Sequence, residues 1–291
     1  MKRMTKGNGM TERKENASVL GKISLAGDLG SGKSTVSEIL IERLGATYYS
    51  TGAICRAIAA SHGMTIVEMN KYMETHPEID HEIDDGLRAL SDRDENLIID
   101  SRMAWHFVKD TFRVYMTTEL AESAKRILRA NRAGDHAATL SEMAEEIRAR
   151  KASERLRYRE QYGVDCKDLS NYDLVVDSTY ASPEDVAGCI LAAFAEWRED
   201  KTRRFAYICP RRFFYPDEGT DDGRAVQLSE QLDCDEDVGE AVAVECDGDI
   251  YLTEHAEVAL AYAISDLPLV PTRLSVGKKP EGVFVRMTDS L

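Results

Sequence analysis

Paired cysteines are missing from this chain. Its six cysteines, at positions 55, 166, 189, 209, 234 and 246, form no C-x-x-C unit and no regular spacing, so neither a zinc site nor a disulfide framework is suggested, and a reducing cytoplasm is the default expectation. The six histidines show no metal-ligand spacing either. No apolar run approaches the roughly 20 residues that span a bilayer. No long apolar segment follows the polar, lysine-bearing start, so a secretory signal is not expected. Residues 1–18 read as a flexible extension, with Met4 and Met10 as alternative starts. Basic charge is also scarce. Lysine and arginine number 37 against 52 aspartates and glutamates, a net charge of −15, which argues against a nucleic-acid backbone as partner.

The acidity is local. From Pro216 to Asp249 thirteen acidic residues face one basic residue, Arg224, which leaves the body of the chain close to neutral. With 291 residues and 43% hydrophobic content, the chain has ample capacity for a core and suits one large domain with a small one. The expected organisation is an extension over 1–18, a nucleotide-handling domain over 19–201 and a small acidic αβ domain over 202–291.

The most informative stretch runs from Val19 to Thr35. An apolar segment, Lys22-Ile23-Ser24-Leu25-Ala26, enters Gly27-Asp28-Leu29-Gly30-Ser31-Gly32-Lys33-Ser34-Thr35 and then a helical pattern from Val36 to Leu44. Gly27, Gly32, Lys33 and Ser34 fill the fixed positions of the phosphate-binding loop G-x-x-x-x-G-K-[ST], with Gly30 as a further flexible position. Such a loop points successive N–H groups, those of Ser31 and Thr35 among them, at phosphate oxygens, and the positive end of the next helix adds to the attraction. Lys33 would reach the β- and γ-phosphates of ATP, and the Ser34 hydroxyl would ligand Mg²⁺.

Further strands are predicted at 46–50, 97–100, 112–116 and 173–177. Helices are predicted from Thr51 to near Gly63, over 64–74, 78–90, 118–131 and 140–162, and from Ser182 to about Lys201. This alternation indicates an α/β fold with a parallel sheet covered on both faces. Ligands then lie at the carboxyl ends of the strands, where Gly27–Ser34, Ser50–Arg56 and Asp100–Arg102 fall.

Phosphoryl transfer needs positioned positive charge, a metal and exclusion of water. Asp100, ending an apolar strand, either holds Mg²⁺ directly or through water, or caps the turn that follows. Arg150, Arg155, Arg157 and Arg159 crowd one helical stretch. Arg150 and Arg157 are two turns apart on one face, as a lid closing on two phosphates requires; the competing reading is a solvated charged helix. Arg56 and Arg102 follow strand ends and either grip an acceptor phosphate or pair with surface acids. Asp80 and Asp84, one turn apart, either bond a base or a ribose or are exposed acids.

These passages coincide with a known family. Gly27–Thr35, Ser50-Thr51-Gly52-Ala53-Ile54-Cys55-Arg56, Asn70-Lys71-Tyr72 with Pro77-Glu78-Ile79-Asp80, Asp100-Ser101-Arg102, Arg157–Asp165 and Asn171–Ser178 occur in the order and spacing of the cytidylate kinases. Residues 21 to about 195 resemble the short archaeal-type branch more than the longer bacterial one. The resemblance implies a P-loop NTPase fold of the adenylate-kinase-like type, with a five-stranded parallel sheet and a helical lid, and transfer of the ATP γ-phosphate to CMP or dCMP. It carries over Lys33 and Ser34 for ATP and Mg²⁺, and Ser50, Gly52, Arg56 and Arg102 for the acceptor. Arg150, Glu154 and Arg157 are set against the lid pattern R-x-x-[DE]-x-x-R, with Arg150 one residue further from Glu154 than that pattern has it. In the bacterial branch an aspartate that helps read cytosine follows the arginine matching Arg102; here Met103 stands there, as the archaeal-type branch also lacks that acid. Beyond residue 200 that resemblance stops. Phe205–Pro210, an acidic spacer and Asp247–Pro271 are similar to the ParB and sulfiredoxin-like fold, but Glu254-His255-Ala256-Glu257 keeps only the histidine of its Gly-His-x-Arg signature, so no activity is inferred from it.

The expected function is that of an ATP- and Mg²⁺-dependent cytidylate kinase of the cytoplasm, acting on a small nucleotide and on neither nucleic acid nor membrane, with the C-terminal part available to a protein partner. Two other readings stand beside it: a phosphate-loop kinase acting on another small metabolite, and a nucleotide-sensing regulatory protein without turnover.

Overall fold

The apolar segment after Gly21 forms the central strand of the first sheet. The computed structural model describes residues 21–130, 139–217 and 219–286; the N-terminal extension expected over 1–18 lies outside the described residues. The chain divides at Tyr172/Asp173 into two compact units.

In the first unit, β1 (Lys22–Gly27), α1 (Lys33–Leu44), β2 (Thr47–Ser50), α2 (Thr51–Ser61), α3 (Ile66–Met73), α4 (Pro77–Ala89), β3 (Leu97–Asp100), α5 (Ala104–Phe107), β4 (Thr111–Thr117), α6 (Leu120–Ala130) and α7 (Leu140–Tyr162) follow in order. The strands pair in parallel as β4-β1-β3-β2. Ile23, Leu25, Leu97, Ile98 and Ile99 are fully buried, the near-continuous apolar pattern of strands covered on both faces. The registers Leu25 to Asp100 and Ser50 to Asp100 bring three strand ends to one rim. Proline at the start of α4 and capping boxes on α3 and α7 set helix starts where the sequence signals them.

The α7 helix has 23 residues, about 35 Å at 1.5 Å per residue, and only its two ends are apolar. Met143 and Ile147 pack with Ala124 of α6 and Leu29 of the phosphate loop. Tyr158, at the other end, joins Leu87, Leu97 and Met103. The charged middle is thereby held over the strand ends. A separate cluster of Ala59, Met69, Met73 and Ile83 binds α2, α3 and α4 into one lobe.

The second unit contains β5 (Leu174–Asp177), α8 (Pro183–Glu199), β6 (Phe205–Ile208), β7 (Phe213–Pro216), α9 (Asp222–Asp233), β8 (Ala241–Cys246), β9 (Asp249–Glu254), α10 (Ala256–Ile264), β10 (Val270–Val276) and β11 (Phe284–Arg286). Its strands run β5-β6-β10-β8-β9-β7-β11 in a mixed sheet. All five predicted parallel strands form. The fifth, β5, pairs in parallel with β6, so the contact boundary falls before it, whereas the sequence reading ends the domain at 201. The acidic spacer is not a spacer: it supplies β7, α9 and β8. In α9, Ala225, Leu228 and Ser229 form a buried stripe while Asp222, Glu230 and Asp233 stay in solvent, so the acids mark an outer face. Arg212 is buried against Asp177 at 3.5 Å and donates to Thr179 Oγ1 at 3.1 Å. His255 is exposed in the left-handed region, with Glu257 at 3.7 Å.

Glycine is required at Gly27 for space as well as conformation. Its φ is +148°, and a Cβ there would lie 2.3 Å from the Met116 carbonyl oxygen across the β1–β4 pair. At Gly32, φ is +81°, and a Cβ would have nothing within 4 Å of it. Gly32→Ala should therefore cost only the left-handed penalty of about 1–2 kcal/mol. Gly27→Ala, which forces two paired strands apart, should cost more than about 3 kcal/mol. Chemical denaturation of the two variants checks the order, and equal losses would contradict it.

Candidate active site

The loop between β1 and α1 turns through Gly30 and Gly32, both at positive φ, with Asp28 N donating to Met116 O at 2.9 Å and Ser31 N to Asp28 O at 3.3 Å. Ser31 is buried, whereas Gly32, Ser34 and Thr35 are accessible at the start of α1. Lys33 folds back along the loop, donating to Asp28 O at 3.0 Å, Gly27 O at 3.3 Å and Ser31 Oγ at 3.5 Å. Loss of solvent pulls its pKa down to about 8; Arg102 and Arg150 push the same way, and Asp100 and Asp28 oppose them. Loop lysine, β3 carboxylate, β3 arginine and α7 arginine thus share one electrostatic neighbourhood.

Asp100 is half-buried at the end of β3, where Tyr48 OH donates to its Oδ2 at 3.2 Å. Arg102, two residues on, meets the Glu154 carboxylate from α7. Glu154 also accepts from Arg150 Nε at 3.0 Å. One buried carboxylate therefore joins a strand-end arginine to a lid arginine. Met103 turns inward to the α7 tip, 4% exposed among Leu87, Leu97 and Ile99.

At the end of β2, Ser50 caps α2 by accepting from Ala53 N at 3.3 Å. Gly52 lies beside Arg56, whose Nη1 would stand in ordinary contact, 3.5 Å, with a Cβ there. Arg56 itself is exposed. Asp80 and Asp84 are 6% and 4% exposed; the exposed-acid reading fails because α4 turns this face toward α7. Arg157 Nε lies 3.5 Å from Asp80 Oδ2, Gln161 donates to the same oxygen at 3.3 Å, and Tyr162 OH donates to Asp84 at 2.5 Å. Burial pushes both carboxyls up, with Arg157 opposing at Asp80 and the Tyr162 hydrogen bond opposing at Asp84. Asp80, Arg157, Arg150 and Arg56 all act electrostatically on Cys55, so α2, α4 and α7 converge at this thiol. The other two arginines of the crowd turn away: Arg155 Nε donates to Asp165 at 2.7 Å and Arg159 at 3.0 Å, tying the helix to the loop after it.

Sequence reasoning missed Asp28. This carboxylate, 4% exposed, accepts from Tyr115 OH, Thr117 Oγ1 and Thr118 N, each at 3.2 Å, and meets Lys151 at 2.8 Å and Lys167 at 3.8 Å. Burial raises its pKa, but the two lysines and these hydrogen bonds outweigh that and bring it down to about 2. An acid inside a phosphate loop was the available signal: such a charge requires cationic partners somewhere in the chain. A cavity of about 260 Å³ opens beside it, lined by Gly27, Asp28, Leu29, Arg102, Lys151 and Lys167 among others. Among the described residues no cluster of three or more His, Cys, Asp or Glu could hold a metal by itself, and no helix is long and apolar enough to cross a membrane.

A phosphate loop, a cation-bearing helix over it and a second set of cations at the neighbouring strand ends define a phosphotransferase of the phosphate-loop class. A profile of the cytidylate kinase-like family matches residues 22–180, running past Tyr172 into the strand and turn that follow, and the chain belongs to this family. It is 37% identical over 175 residues to a cytidylate kinase of Thermoplasma volcanium, covering 58% of this chain and 89% of that one. With a cytidylate kinase of Thermoplasma acidophilum it shares 35% over 167 residues, 57% of this chain and 88% of that one. It is also 36% identical over 171 residues to an S-adenosylmethionine-dependent nucleotide dehydratase of Lacinutrix mariniflava, but that match covers 58% of this chain and 35% of the relative.

Two pH-dependent outcomes follow. Lys33 loses its charge as pH rises through about 8, so kcat/KM for a nucleoside triphosphate should fall above that pH. The bound phosphates would hold the lysine protonated, so kcat should fall only at higher pH; identical profiles for the two would contradict this. Asp28 has a folded-state pKa depressed from 3.8 to about 2, a shift worth on the order of 2 kcal/mol. That stability is present above pH ~4 and is lost as pH falls toward 2. Asp28→Asn should be less stable by this order at pH 7, and its gap to the wild type should close over that acid range in denaturation curves.

Proposed function

We propose that this protein is a nucleoside monophosphate kinase that transfers the γ-phosphoryl group of ATP to CMP or dCMP. The observation that carries this reading is the meeting of Lys33, Asp100, Arg102 and Arg150 in one charged neighbourhood, which joins a donor loop, an acceptor-side arginine and a lid. Membership of the cytidylate kinase-like family supports the same substrate class.

In this reading Gly27, Gly30, Ser31, Gly32 and Thr35 form the cradle for the donor phosphates, and Lys33 neutralises the charge that spreads over the transferred group. Ser50, Gly52, Arg56 and Arg102 hold the acceptor phosphate. Asp80, with Gln161 and Arg157 around it, contacts the base or ribose; Met103, packed in the core, leaves this polar group to read the acceptor. Arg150 and Arg157 ride on α7, and Glu154 keeps Arg150 and Arg102 in register. Closure of this helix over both nucleotides excludes water that would otherwise accept the phosphoryl group.

Mg²⁺ fits the residues present. One accessible hydroxyl, Ser34, and one carboxylate, Asp100, which accepts a hydrogen bond from Tyr48 on Oδ2, make the sparse oxygen set that suits an ion retaining several waters. These two residues would hold it, and the ion would neutralise charge on the donor phosphates. In this reading the kinase domain takes in α8, which closes at Glu199, and so ends near residue 201, and the enzyme works in the cytoplasm.

ADP release measured with CMP, dCMP, UMP and AMP as acceptors tests the proposal. Turnover should be fastest with CMP or dCMP; no turnover with any of the four would sink it. Lys33→Met should lower kcat by about a hundredfold or more with an unchanged thermal midpoint, and a near-normal rate would put the chemistry elsewhere.

A further inference from the structure

The cavity beside the phosphate loop is built asymmetrically. Its wall includes the first residues of the loop, Gly27, Asp28 and Leu29, and none of Gly30–Thr35. In a phosphate loop the later N–H groups cradle the inner phosphates, while the lysine reaches the outer ones. Lys33 rests its ammonium on the carbonyls of Gly27 and Asp28, so the cavity adjoins the place where an outer phosphate would meet it. Five cationic side chains, Arg102, Arg148, Lys151, Arg155 and Lys167, line this space with two carboxylates, Asp28 and Glu154, and one of the five, Arg155, is already paired with Asp165. Its preference is for an anion.

The hydrogen bonds on Asp28 separate the two lysines that approach it. A carboxylate offers about four lone-pair positions. Thr117 and Thr118 take Oδ2, and Tyr115 and Lys151 take Oδ1. Lys167 approaches Oδ1 only to 3.8 Å, beyond hydrogen-bond distance. Its ammonium is steered by Asp28 without being consumed by it. Lys151, 25% exposed, tethers the lid helix; Lys167, 40% exposed in the loop after that helix, keeps its donors for something else.

Resting on the kinase reading above, we propose that Lys167 is a further phosphate-contacting residue, which binds the γ-phosphate of the nucleoside triphosphate on the loop, and that Asp28 is the positioning residue that aims it. The contact belongs to the third phosphate, so it distinguishes triphosphate from diphosphate. It adds a charge to the transferred group from the cavity wall that Lys167 shares with Arg102. It also gives the acid in the phosphate loop a purpose, since the Asp28 charge is what draws Lys167 to the cavity wall.

The test is calorimetric titration of the full chain with ATP and with ADP, both in the presence of Mg²⁺, for the wild type, Lys167→Met and Lys167→Arg. Lys167→Met should weaken ATP binding about tenfold, leave ADP within twofold, and lower kcat for phosphoryl transfer by a similar or larger factor; Lys167→Arg should restore most of each. Equal loss of ATP and ADP, loss of ADP alone, or ATP binding within twofold of the wild type overturns the proposal. Lys167→Gln serves as the neutral variant if the methionine lowers the thermal midpoint. A wild-type protein that binds ATP but turns over no nucleoside monophosphate would refute the kinase reading and leave the ATP-to-ADP comparison to decide the role of Lys167 separately.

Discussion

Gathering cations at one place costs Coulomb energy that only carboxylates can offset, and the first unit is arranged around that constraint. Lys33, Arg102 and Arg150 lie in mutual range, and the shared Glu154 carboxylate is what lets Arg102 and Arg150 approach. The same device recurs along α7. Asp80 faces Arg157, Asp165 takes Arg155 and Arg159, and Asp28 takes Lys151. Each carboxylate comes from a different part of the unit, so the pairs also act as ties between elements. The apolar ends of α7 give it its seat, and the ion pairs set its rotation, since a turn about its axis would separate several pairs at once.

Much of this was legible in the sequence because it depends on local patterns. The phosphate loop, the strand ends at Ser50 and Asp100, and the i, i+4, i+7 spacing of Arg150, Glu154 and Arg157 are all short-range features. Family likeness then joined passages whose partners lie far apart. What stayed hidden was pairing across the chain. Asp28 and Lys167 stand near opposite ends of the first unit, and nothing local ties them. Asp80 and Asp84 could pass for surface acids because their burial is imposed by α7, whose Gln161 and Tyr162 lie 81 and 78 residues further on. The acidic stretch after Pro216 reads as a spacer because its charge masks the apolar stripe of Ala225 and Leu228; charge density reports the outer face of an element and says little about its inner one.

The second unit obeys a different economy. Its buried arginine bonds within the unit: Arg212, 7% exposed, meets Asp177, Thr179 and the Gly248 carbonyl. The acids of α9 point outward, and the buried Cys189 and Cys209 have their thiol pKa values held up to about 12 by loss of solvent, which keeps them protonated and unreactive. The division of charge seen along the chain thus corresponds to a division of use, with paired charges gathered at the phosphate loop in one unit and acids turned toward water in the other.

The α7 helix is closed at both ends, by the Thr139–Glu142 capping box and by Gly163 in the left-handed region, and has no proline or glycine within it. It is therefore one stiff lever rather than two independent flaps. Lys151, tied to Asp28 of the phosphate loop, and Arg157, facing Asp80, ride on that one lever, so in the proposed kinase a displacement that suits one nucleotide would be felt at the other. Linkage requires such an influence to run equally in both directions. The length of a single helix is in this sense a communication distance, and each substrate would sense the other through its rotation and tilt, with no domain interface needed to carry the message.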